Sequence, residues 1–188
     1  MENFMRLMRV AGVNFPVAAS FIQISNELDS IEIQKRLTKL EDPISSLHED
    51  IPSLSHVIYI ALAENDSSAL NFRDDVYDKY SRAFAKLDSQ GLITKHNQAG
   101  TIYPALIEVS DASYIAYLAT CFEDTKKMDL LFTIVGSCKV GTWLNGHEIQ
   151  KDIQLPLVVI KAIFDIFASN GFGICSRNIG ECTYLANA

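Results

Sequence analysis

One phrase occurs twice in this chain. Residues 83–103 read AFAKLDSQGLITKHNQAGTIY, and residues 162–184 read AIFDIFASNGFGICSRNIGECTY. Phe84, Ser89, Gly91 and Gly100 recur as Phe164, Ser169, Gly171 and Gly180 at one constant offset. Each copy has the form of an apolar helix, a glycine stop and a short hairpin. A glycine just past a helix adopts the left-handed conformation that ends it without a Cβ penalty. In the first copy, NQAG between LITKH and TIYPALIEV supplies the residues a strand-joining turn needs. A helix-to-hairpin unit used twice restricts the chain to folds built by repeating one small module.

The remaining segments supply helices ahead of each hairpin. Over residues 17–41, Phe21, Ile24, Leu28 and Ile31 lie along one stripe and Ile33, Leu37 and Leu40 along another. Asp29 followed by Glu32 has the form of a capping box, which starts a second helix there, and Pro43 ends it. Residues 41–55 carry two prolines and several small polar residues, the pattern of a linker. A helix is expected over residues 53–64 with Ser53 as its N-cap, then a turn at NDSSALN. One long helix or two short ones cover residues 73–90. Ser110 or Asp111 caps a helix through Phe122, with Ile115, Ala119 and Phe122 on one side. Later come a helix over 128–137, an extended piece over 139–143, and an Asn145-Gly146 turn into HEIQKDI. Pro156 opens a long apolar helix that runs to Ser169. The expected fold is mainly α with short β-hairpin wings. Residues 1–50 form an N-terminal helical segment, 51–124 a first unit and 125–188 a second.

This arrangement resembles tandem winged-helix proteins. KLDSQGLITKHNQAGTIYPALI is similar to the helix-to-wing junction of that superfamily. The likeness covers residues 53–110 well and 126–188 more loosely, and it does not extend to residues 1–50. It implies two winged-helix-like units and a binding protein without cofactors.

Length, composition and charge set outer limits. At 188 residues, 48% apolar and 21% charged, the chain can bury a sizeable core and has no signature of disorder. A net charge of −7 disfavours coating nucleic acid by bulk electrostatics, although a local basic face would still serve. The longest apolar run, residues 155–168, is interrupted by Lys161 and Asp165. It falls short of the ~20 residues a bilayer span needs, so no membrane partner is expected. Glu2, Asn14 and Pro16 break up the N-terminal apolar stretch, which reads as part of the domain and not as a secretory signal. Four cysteines without a CxxC pair suggest reduced thiols in a cytoplasmic protein. Cys175 and Cys182 would lie near each other across the second hairpin and could bridge if the register allowed.

No motif argues for catalysis. His147-Glu148 begins like a zinc-protease helix, but Lys151 stands where the second histidine must be. His48, Glu49, Asp50 and His56 form a His-acid cluster in a polar segment where such residues usually cap helices or face water. Gly171-Phe172-Gly173 follows a helix, the reverse of the phosphate-cradling order. No GxSxG elbow occurs. The chain is therefore read as a non-enzyme with no metal and no cofactor.

Two binding functions follow. In the first, the protein is a DNA-binding regulator whose first unit meets double-stranded DNA through Arg73, Lys79, Arg82 and Lys86 on a helix and Lys95 and His96 on the wing. Residues 17–41 and the second unit would make it a homodimer. Asp74, Asp75, Asp78 and Asp88 oppose that reading to an extent set by helix phase. The second unit contributes little to it, because the helix ending at Ser169 is apolar nearly all round and must be buried, leaving Arg177 alone on its wing. In the second reading, implied by the resemblance, the chain is an adaptor. It would bind a protein partner in place of DNA, as acidic tandem winged-helix proteins that accompany chromosome-organising ATPases do. Convergence of the cations on one surface would favour DNA; an exposed groove beside Phe164 and Phe167, or between the units, would favour the adaptor.

Overall fold

The computed structural model describes residues 47–176 and 180–187. The helices expected over 17–41 and the wing residue Arg177 lie outside the described residues. Within them the elements run α1 (Ile51–Asn65), β1 (Ala69–Leu70), α2 (Asp74–Ser89), β2 (Thr94–Asn97), β3 (Pro104–Glu108) and α3 (Ala112–Phe122). There follow α4 (Thr125–Gly136), β4 (Trp143–Asn145), α5 (Gly146–Ile153), α6 (Leu157–Ser169), β5 (Gly173–Cys175) and β6 (Thr183–Ala186). The fold is mixed α/β: six helices and two small antiparallel sheets, in line with the expectation of helices carrying short β-hairpins. Both expected hairpins are present, and each gains a third antiparallel strand, giving sheet orders β1-β3-β2 and β4-β6-β5. Ala69 and Leu70 face Glu108 and Ile107 in one sheet; Trp143, Leu144 and Asn145 face Leu185, Tyr184 and Thr183 in the other. β1 falls in the stretch read as a turn, since a strand of two residues has no alternation to detect.

The glycine stops behave as the repeat suggests. Gly91 and Gly171 have φ of +72° and +83°, and the amides of Leu92 and Phe172 reach back to the carbonyls of Leu87 and Phe167. Helix starts follow local chemistry with one revision. Asp111 caps α3 by accepting from the Tyr114 amide, Asp124 caps α4 through Lys126, and Asn145 caps α5 through His147. α1 starts at Ile51, so Ser53 lies within the helix and is not its cap; Pro52 in the first turn tolerates the missing donor. The last residues of the supposed linker are therefore helical. α2 is continuous with non-helical torsions at Tyr80, a kink that separates its acidic first half from its cationic second half.

A single hydrophobic cluster runs from Ile51 in α1 to Ala186 in β6. α3 is its hinge: every residue from Ser113 to Ala119 is buried, and the helix packs on α1 and on α6. The sequence suggested one apolar side for α3, whereas two neighbours cover it from opposite directions. α6 is buried on most of its circumference, with Ile160, Ile163 and Phe164 almost wholly inaccessible. Its cover comes from α3, α4, α5 and the β5-β6 ribbon of the same chain. Ser55 and Tyr114 share a hydrogen bond of 3.1 Å across the α1–α3 contact, which satisfies these two buried hydroxyls.

Candidate functional site

The second half of α2 shows which expected DNA-contacting residues face outward. Ala83, Phe84 and Leu87 point into the core. At 100° per residue, the opposite stripe carries Arg82, Ala85 and Ser89, with Lys86 at its border. Arg82 is exposed and Lys86 half-buried, and neither has an ion-pair partner among the described residues. The other four cations are engaged elsewhere. Arg73 precedes the helix, its guanidinium 2.9 Å from Asp75. Lys79 sits 4.7 Å from the centroid of the Tyr80 ring, and a hydrogen bond with the Tyr80 side chain raises its ammonium pKa. On the ribbon, the Lys95 ammonium lies 3.5 Å from Asp88, and His96 Nε2 lies 3.0 Å from Glu108. Exposed pairs of this kind add little to stability. They nonetheless cancel positive charge where a polyanion would approach.

The ribbon is fastened to α2 by further acidic chemistry. Tyr103 stacks on Tyr77 with ring centroids 5.6 Å apart and donates its hydroxyl to Asp78 at 2.6 Å. The loop beyond it carries no cation, and Ile102 is 92% exposed. Of the six expected residues, Arg82 and Lys86 share a face of α2, while Arg73, Lys79, Lys95 and His96 each make a local contact of their own.

A second feature was invisible in the sequence. A cleft of about 460 Å³ is walled by Asp66, Ser67 and Ser68 after α1, by Leu157, Val158 and Lys161 on α6, and by Ser176, Gly180, Glu181 and Cys182 of the second hairpin. A hollow of about 180 Å³ continues it past Ser68 and Lys161 toward Glu108, Ile115 and Asp165. Four carboxylates and one ammonium line the two spaces. Asp66 braces the cleft: its Oδ1 accepts from the Val158 amide at 2.8 Å and its Oδ2 from Gln150 Nε2 at 3.1 Å. Phe164 and Phe167 are buried, and neither lines the cleft.

The groups with reactive potential are subdued. Burial pushes the Cys175 thiol up to about 12 and the Cys182 thiol up to about 11, so both are protonated at neutral pH and poor nucleophiles. Cys175 faces Tyr184 across the ladder and both thiols are free, so the register does not join Cys175 to Cys182. His48 Nδ1 accepts from the Asp50 amide at 3.2 Å, and His56 packs on the Phe122 ring. His147 Nε2 lies 3.3 Å from the Gly180 carbonyl oxygen. No group of three or more metal-ligating side chains occurs among the described residues. No helix among them is long and apolar enough to cross a membrane. Comparison of the chain with protein-family models, curated proteins and solved structures gives no match.

Proposed function

We propose that the chain is a non-enzymatic adaptor made of two winged-helix units, whose intervening cleft holds an extended, net-basic segment of a partner protein. The two-unit reading is supported by the repeated order of helix, strand, helix, helix and ribbon, each with the first strand beside the last. In the first unit the middle two helices are joined through the kink at Tyr80. The observation that carries the function is the cleft. It has room for several side chains, lies where the units meet, and sets Asp66, Glu108, Asp165 and Glu181 against the lone Lys161. Opposite charge on the incoming segment would steer it and set its register.

A second reading keeps one specific observation in its favour. Arg82 and Lys86 face solvent on the helix that hands over to the ribbon, the placement a DNA-reading winged helix requires. Two unpaired cations are few for a polyanion, and a net charge of −7 opposes approach.

The readings separate in one set of variants. Ser68→Trp places an indole where the two hollows meet, and Arg82→Glu with Lys86→Glu inverts the helix face. The adaptor predicts that wild-type protein isolated from its own cells carries a stoichiometric protein partner, that Ser68→Trp loses it, and that the double variant keeps it. The DNA regulator predicts duplex binding by fluorescence polarisation at low salt, weakened at least ~10-fold by the double variant. Saturable duplex binding with that loss, and partner retention by Ser68→Trp, would overturn the adaptor.

A further inference from the structure

Resting on the adaptor reading and deepening it, we propose that the inner hollow of the cleft is a pocket for one basic side chain, arginine or lysine, of the partner segment. Two stretches of the chain build this pocket. Val158, Lys161, Ala162 and Asp165 follow one another at i, i+3, i+4 and i+7 along α6, so they form a single stripe of that helix. Facing the stripe are Glu108 at the end of β3 and Ala112 and Ile115 in the first turns of α3. The space of about 180 Å³ between them has room for one long side chain.

Two features select a cation on an aliphatic stem. The first is the walls: Ile115, Val158 and Ala162 are buried and apolar, and the methylenes of arginine and lysine lie readily along such surface while the charged head stays among polar groups. The second is charge. Glu108 already holds His96 Nε2 at 3.0 Å. Asp165 differs, because no cation lies within ion-pair distance of its half-buried carboxylate among the described residues. Lys161 precedes it by one helical turn, the order in which such a pair interacts less well. Burial raises the Asp165 carboxyl pKa, against the hydrogen bond with Cys175 and the charge of Lys161. An entering guanidinium or ammonium supplies the counter-charge that this carboxylate lacks. Lys161 borders both spaces and repels a second cation, so one basic residue, and not a run of them, sets the register.

The probes are short blocked peptides that carry one arginine, one lysine or one citrulline, the neutral isostere of arginine, among glycines. Each is titrated into the full chain and into Asp165→Asn, which keeps the side chain's shape and an acceptor for Cys175, and binding is read from backbone amide NMR shifts. In parallel, wild type, Ser68→Trp and Asp165→Asn are isolated from the native cells and their partner content is compared. The proposal expects saturable shifts at Val109, Ala112 and Ala162 with the basic probes, and binding at least ~10-fold weaker for citrulline and for Asp165→Asn. It also expects a partner carried by wild type and depleted at least ~10-fold from Asp165→Asn. Equal affinity for the arginine and citrulline probes overturns it, as do shifts that never saturate and scatter over the acidic surface. A partner lost from Ser68→Trp yet kept in full by Asp165→Asn overturns it too, while leaving the adaptor standing. A wild type that carries no partner is the separate failure of the adaptor itself, and it removes the pocket's occupant whatever the probes show.

Discussion

Gly173 and Gly146 occupy positions where the volume of a Cβ is already filled. A methyl on Gly173 would lie 2.4 Å from the Leu185 carbonyl oxygen and 2.4 Å from the Tyr184 ring. One on Gly146 would lie 2.3 Å from Cys182 Sγ and 3.0 Å from its carbonyl oxygen. Gly173→Ala must displace backbone, and thermal unfolding should show a loss of about 2–4 kcal/mol. Gly100→Ala meets nothing within 4 Å and is strained only by its φ of +86°, so about 1–2 kcal/mol is expected there. The glycines that stop helices were legible in the sequence because their requirement is local. The crowding at Gly146 and Gly173 was not, because it depends on what folds over them. Asp165 is governed by its surroundings too. Burial raises its carboxyl pKa, opposed by a hydrogen bond with Cys175 and by Lys161. A raised carboxyl pKa means the folded state holds the proton more tightly than the unfolded chain. That contribution is complete below the unfolded value of ~3.9 and is lost as pH climbs through the folded one. Asp165→Asn keeps an acceptor for Cys175 without the charge. Its unfolding midpoint should exceed that of the wild type at pH 7, and the fall in stability from about pH 4 to pH 7 should be shallower. An unchanged pH profile would contradict this placement of Asp165.

At the scale of elements, the chain's pattern announced α6 more fully than α3. A helix apolar on nearly every side has to be enclosed, and that much follows from residues 155–168 alone. Which element encloses it does not follow, because α3 looked amphipathic and short. The two helices complete each other: α3 is covered by α1 on one side and α6 on the other. Asp66 ties that assembly together from a left-handed position, φ 47°, at the end of α1. It acts as a cap supplied from a distance, accepting from Val158 in the first turn of α6. Asp66→Ala should cost about 1–2 kcal/mol by removing the acceptor while keeping a Cβ in the left-handed region. Asp66→Asn retains both acceptor and tolerance for that conformation and should cost less. Hydrogen exchange at the Val158 amide distinguishes this from a general loss of stability, since protection there should fall further than at Ile163. The third strands are hard to read for a different reason: the stretch holding β1 reads as a turn, and β4 is announced only by an extended piece over 139–143. β1 and β4 are two and three residues long, and their pairing is dictated by the ribbons they join.

Across the whole molecule, the decisive electrostatic facts are long-range. The cations of α2 and its ribbon are plain in the sequence. Their neutralisation is not, because Glu108 meets His96, and Asp88 meets Lys95, only when the ribbon folds back. The cleft is less legible still: Asp66 and Glu181 face one space although most of the described chain lies between them. A repeat in the sequence can therefore announce two helix-to-ribbon segments, while the surface that forms beside them depends on how α3 packs. The central claim is that a partner's chain enters this cleft and does not engage the outward face of α2. The most direct measurement is site-specific photocrosslinking in the native cell, with a benzophenone side chain placed at Ser68 in one variant and at Ala85 in another. The account predicts a protein adduct of a single size from position 68 and no adduct from position 85. Crosslinks to DNA or protein from position 85 alone, with position 68 silent, would contradict it.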